Sequence, residues 1–172
     1  MQIAATFIEY LVSGCTALLW LLPLLSTSQA SLVTITPAQA VLMVPLAYVV
    51  GHLVDYLSYK AVSPFKHDSK VDALEIIYAS SDLAKEEQIR SSRDRIARGA
   101  LFNSLCLTLV AIFRPENLNI PFTPVVRIGG LLLLTIICFL MWREFEGRSK
   151  SFRDHAIAII NKDKVSKSKD DA

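Results

Sequence analysis

His52 and Asp55 are the residues best placed by type and spacing to do chemistry. They lie three apart in the stretch from Tyr48 to Lys60. In a helix that spacing puts both on one face, with Tyr48, Tyr56 and Tyr59 close by. A histidine beside a carboxylate is a natural proton relay. It can also contribute to a metal site, but two ligands fall short of the four that a structural zinc needs. The cysteines do not complete such a set. Cys15, Cys106 and Cys138 each sit inside an apolar run, without CxxC spacing, and read as small buried hydrophobes. No metal and no cofactor are expected.

Glu9, Arg98 and Asn103 also interrupt or border apolar sequence. A second group, Arg90, Arg93 and Arg95, precedes Arg98 in a polar segment. Clustered arginines can grip a phosphate or another anion, although Glu86, Glu87 and Asp94 are interleaved with them. The chain has no GxSxG, P-loop, HExxH or CxxC motif, and none of the spacings that set up an activated nucleophile. It is expected not to be an enzyme.

These side chains have to be positioned by long apolar elements. The chain is 172 residues long, 52% hydrophobic, with a mean hydropathy of +0.41. Four apolar runs approach the ~20 helical residues that cross a bilayer. The first spans Ile3 to Leu25. Ser28-Gln29-Ala30 after it fits a signal-peptide cleavage site. The run is nevertheless long, and Glu9 stands where Lys or Arg would be expected, so it is read as an uncleaved helix. The second runs from Ala38 to about Tyr59, with Pro37 in its first turn and Pro45 inside it. The third, Gly99–Phe113, has fifteen residues and spans only if its helix continues below Gly99. The fourth covers Pro124–Trp142, with Arg127 snorkelling at one end and Trp142 as an interface anchor at the other.

Charge sets the orientation. Of eighteen Lys and Arg, eight lie between Lys60 and Arg98 and eight follow from Arg143 onward. Positive residues stay on the cytoplasmic side, so both termini are expected there, and the lack of a recognisable transit peptide favours a bacterial inner membrane. The expected fold is all-α: a polytopic membrane protein with four transmembrane helices, the third and fourth prolonged into the cytoplasm. Residues 1–59 and 99–142 form transmembrane hairpins. Residues 60–98 form a cytoplasmic helical segment, in which Val71–Tyr78 is a short amphipathic helix. Residues 143–160 form an amphipathic cytoplasmic helix, and 161–172 a disordered tail.

In this topology Glu9, His52, Asp55, Arg98 and Asn103 share the inner leaflet as an intramembrane polar cluster. Isolated charges there cost at least ~2.5 kcal/mol each, so they pair inside the bundle. Asp55 or Glu9 with Arg98 is the expected pair. The leading functional expectation is a small, non-enzymatic, homo-oligomeric membrane protein. Its cytoplasmic helices bind a protein partner or a signal, and its bundle responds by altering permeability, as in bacterial defence or stress effectors of similar layout. An accessory subunit of a larger complex, and a proton- or ion-coupled transporter using His52 and Asp55, are the alternatives. Arg90, Arg93 and Arg95 are the candidates for partner or anion binding. Anionic lipid headgroups are expected partners of the basic face; nucleic acid is not.

Overall fold

A computed structural model of the chain describes residues 2–25, 37–65, 76–77, 81–115 and 123–170. Its regular structure is helical: α1 (Gln2–Leu25), α2 (Pro37–Val62), a 3-10 turn (Ser63–Phe65), α3 (Ser81–Phe113) and α4 (Pro124–Asp170). All four α-helices are long and apolar enough to cross a membrane. At 1.5 Å per residue, α3 and α4 measure about 50 and 70 Å, well beyond a ~30 Å hydrocarbon layer.

Local sequence accounts for the boundaries. Pro37 and Pro124 each open a helix, where a missing N–H costs nothing. The Arg127 amide bonds the Thr123 carbonyl and closes the first turn of α4. Helix α3 has no Pro, and Gly99 does not interrupt it. The short third apolar run is therefore part of a 33-residue helix that is long enough to cross a membrane. Helix α4 continues to Asp170, past the point where composition led us to expect an unstructured tail. No Pro or Gly occurs after Gly147 in α4, so nothing local stops it. Of the short amphipathic helix expected over Val71–Tyr78, only Ile76 and Ile77 are described; both are helical, and Ile76 is fully buried.

The helices run up, down, up, down. α1 packs along α2 and α3 along α4, and α3 makes most of the contacts between the two hairpins among the described residues. The most apolar stretch of α3 is half buried, against 11% for α4. α3 is therefore the centre of the bundle, and α4 is its most exposed member.

Two glycines make the first hairpin tight. A Cβ on Gly14 would fall 1.6 Å from the Ala47 carbonyl oxygen, and one on Gly51 would fall 1.9 Å from that of Tyr10. The backbones of α1 and α2 touch directly, in the small-residue manner of membrane helices. The second hairpin is joined differently, by a Thr108–Thr135 hydroxyl contact of 3.2 Å and by the Glu87–Arg153 ion pair farther along.

Trp142 is 1% exposed and packs with Val62, Ala97 and Leu101. It ties α4 to the ends of α2 and α3 and is no edge anchor. Arg127 is also buried rather than snorkelling. It donates to the Pro115 carbonyl at 3.1 Å, just beyond the end of α3, a favourable place for a cation. The cysteines correct a third expectation. Cys15 is exposed and the other two are half-buried, so none of the three is a fully buried core residue.

Candidate functional site

Lys60, Arg98 and Arg143 lie at one end of the bundle, its basic end. There the face of α2 turned inward carries Ala47, Gly51, Val54, Asp55, Ser58 and Val62. Residues four apart differ by about 40° around a helix, so the contact at Gly51 carries Asp55 inward with it. His52 lies about 100° from Gly51 and points away.

Arg98, 7% exposed on the central helix, collects what Asp55 and its neighbours offer. Its Nη2 pairs with Asp55 at 2.7 Å and its Nη1 with Asp94 at 3.1 Å. Its Nε donates to Ser58 at 3.3 Å, and its guanidinium lies 5.3 Å from the Tyr59 ring centre. All three nitrogens of the guanidinium are occupied, two of them by carboxylates from different helices. A buried charge is tolerated only with this degree of pairing.

A second set surrounds Tyr10 on α1. Its hydroxyl donates to Asp55 at 3.4 Å and accepts from Arg95 at 3.2 Å. Arg95 also lies 3.8 Å from Glu9, which accepts a hydrogen bond from Ser92. Tyr10 thus links the Glu9–Arg95 pair to the Asp55–Arg98 pair. Higher in the bundle, Asn103 is 2% exposed. It accepts from the Trp20 indole and donates to the Ser13 carbonyl, both at 3.0 Å, which fixes α1 against α3.

Of the polar residues singled out in the sequence, Glu9, Asp55 and Arg98 come together at the α1–α2–α3 junction, and Asn103 sits apart from them, between α1 and α3. His52 does not join them. Its exposed ring stacks on Tyr10 with centroids 3.8 Å apart and meets Tyr48 edge-on at 4.7 Å. No hydrogen bond joins it to Asp55 among the described residues, so the two do not form the relay that their spacing invited.

The arginines Arg90, Arg93 and Arg95 also part company. Arg90 turns to α4: it pairs with Glu86 at 2.9 Å, lies over the Phe152 ring and reaches the Arg148 carbonyl at 3.4 Å. Arg93 is exposed. Only Arg95 faces the junction. Nearby, Glu87, 4% exposed, holds Arg153 of α4 through Nε at 2.9 Å and through Nη2.

Between the junction and α4 lies a cleft of about 870 Å³. Tyr10, Asp55, Tyr59 and Arg98 line its side toward the junction, and Arg143, Glu146, Lys150 and Arg153 form its α4 wall. The inward role of Tyr10 and Ser58 was missed in the sequence. The signal was present, since Tyr10 lies four residues before Gly14, and Ser58 three after Asp55 and seven after Gly51. Among the described residues no three His, Cys, Asp or Glu side chains come together to hold a metal. The chain matches no protein-family model, no curated protein and no solved structure.

Proposed function

We propose that this is a non-enzymatic, multi-pass membrane protein of the effector type. A cytoplasmic ligand or partner is received in the cleft at the basic end, and the bundle answers by changing membrane permeability. The single observation behind the reading is the position of Arg98. The pair that holds α2 to the central helix also lines the cleft. Anything that binds there competes for, or adds to, the contacts that hold the two hairpins together. Ligand binding and hairpin docking are then coupled by their shared residues, which is the requirement for a switch.

Within one chain the polar belt gives way to apolar packing around Ala17, Val50, Val54, Val110 and Ala111. A permeability path therefore belongs between copies, which is why homo-oligomerisation is part of the proposal. The exposed apolar side of α4, with Leu133, Ile136 and Leu140, is available to lipid or to another membrane chain. That same surface favours the second reading, an accessory subunit in a larger complex. A transporter working through His52 and Asp55 is favoured by nothing in the geometry.

The test is entry of an impermeant dye into cells expressing the full chain, compared with Asp55→Asn and Arg98→Gln at matched membrane levels. Loosening the clasp should raise dye entry above that of the unaltered protein. Dye exclusion equal to an empty-vector control in all three would remove the permeability reading and leave the accessory one.

A further inference from the structure

We infer that the cleft at the basic end is a phosphate-binding site, contributed by α3 and by the α4 wall. The inference deepens the reading of this cleft as the receiving site, and rests on it. Five cations line the cleft: Arg95, Arg98, Arg143, Lys150 and Arg153. Asp55, Asp94 and Glu146 line it too, and Glu9 and Glu87 reach Arg95 and Arg153 from beside it, so the carboxylates match the cations in number and the distinction lies in which cations they hold.

The cations fall into two groups. Arg95, Arg98 and Arg153 are held by Glu9, Asp55, Asp94 and Glu87. Arg143 and Lys150 have no ion-pair partner among the described residues. They stand seven residues apart on α4, two turns of one face and about 10 Å along the axis. Two unpaired cations at that separation, on the wall of a cleft whose floor already carries arginines, leave an anion as the missing partner. Phosphate suits the setting better than carboxylate. It offers more acceptor oxygens, and the cleft supplies arginine N–H groups as well as the hydroxyls of Ser91 and Ser149.

Gly147 points the same way. It lies on the cleft wall between Arg143 and Lys150, in a helix where glycine costs about 1 kcal/mol relative to alanine. A Cβ there would meet nothing within 4 Å. A larger side chain at this position would extend over the cleft wall without displacing a neighbouring helix.

A phosphate can arrive here on a lipid headgroup or on a soluble molecule, and the experiment separates the two. The full chain is placed in phosphatidylcholine nanodiscs, and binding of fluorescent phosphatidic acid is compared with that of the matching phosphatidylcholine. Inorganic phosphate and ATP serve as competitors at constant ionic strength. The unaltered protein should prefer phosphatidic acid, or else bind ATP or phosphate directly. Arg143→Gln/Lys150→Gln should weaken binding by at least about tenfold, the equivalent of one charge-assisted hydrogen bond. Gly147→Leu should weaken it similarly while leaving the thermal midpoint unchanged or raised, a split that a purely structural role would not produce. Lys85→Gln, an exposed cation outside the cleft, is the control. Displacement of phosphatidic acid by ATP or phosphate assigns a soluble source; lack of displacement assigns the lipid. Equal binding of both lipids with none of ATP or phosphate would overturn the inference, as would unaltered binding by the cleft variants. Failure here with dye entry intact removes the phosphate site alone, and phosphate binding without dye entry removes the effector reading alone.

Discussion

Arg98 holds two carboxylates and a hydroxyl on one guanidinium, so removing it is not the same as breaking one pair. Arg98→Gln leaves Asp55 and Asp94 facing each other and should cost about 3 kcal/mol or more. Asp55→Asn should cost nearer 1 kcal/mol, since Asp94 remains and a quarter of the Asp55 side chain is exposed. The double variant should lose clearly less than the two losses added together. Thermal unfolding in detergent reads all three, and simple additivity would show that the pair is not coupled. Asn103→Leu is a separate case. It strands the Trp20 indole and the Ser13 carbonyl in a buried site, for about 2 kcal/mol. A red shift of Trp20 emission in a Trp142→Phe background would report the opened contact; unchanged emission and stability would show that Asn103 does not pin α1.

Glycine separates the two hairpins at the scale of elements. Gly51→Ala has to push α1 away from α2, at about 1–3 kcal/mol. Gly130→Ala meets nothing within 4 Å and should stabilise α4 by up to about 1 kcal/mol. Melting midpoints moving in opposite directions would confirm that contact, and not helix propensity, governs Gly51. The same glycine explains how far the sequence could be read. Apolar run lengths and the prolines at Pro37 and Pro124 made the four helices legible, because those signals are local. Which face of α2 turns inward is not local. Spacing alone put His52 beside Asp55, whereas the backbone contact at Gly51 sends Asp55 inward and His52 to the outside. Asn103 and Arg98 were legible as buried polar groups, since an apolar helix cannot leave them unpaired. The partners of Asn103 on α1, Trp20 and Ser13, were not, because no periodicity in one helix reports the register of another. Arg90, Arg93 and Arg95 looked like one cluster because they are close in sequence, yet α3 contacts three helices and divides them among its sides.

At the scale of the whole molecule, charge distribution makes an independent statement about orientation. Reporter fusions at either end of the chain should both report the cytoplasm; reporters on opposite sides would remove the topology and move the cleft out of reach of cytoplasmic ligands. The clasp described above also bears on how the protein is made. Glu9 and Asp55 reside in the first hairpin, while Arg95 and Arg98, which neutralise them, reside in the third helix. In the membrane arrangement proposed, a ribosome delivers the two carboxylates well before either arginine. Until α3 enters, the first hairpin carries acidic groups without their cations, an unfavourable guest in hydrocarbon. Insertion of the first hairpin is therefore expected to stay provisional, and a chain truncated before Arg95 should be retained by the insertion machinery or degraded, whereas one ending after Phe113 should be released as a stable three-helix intermediate.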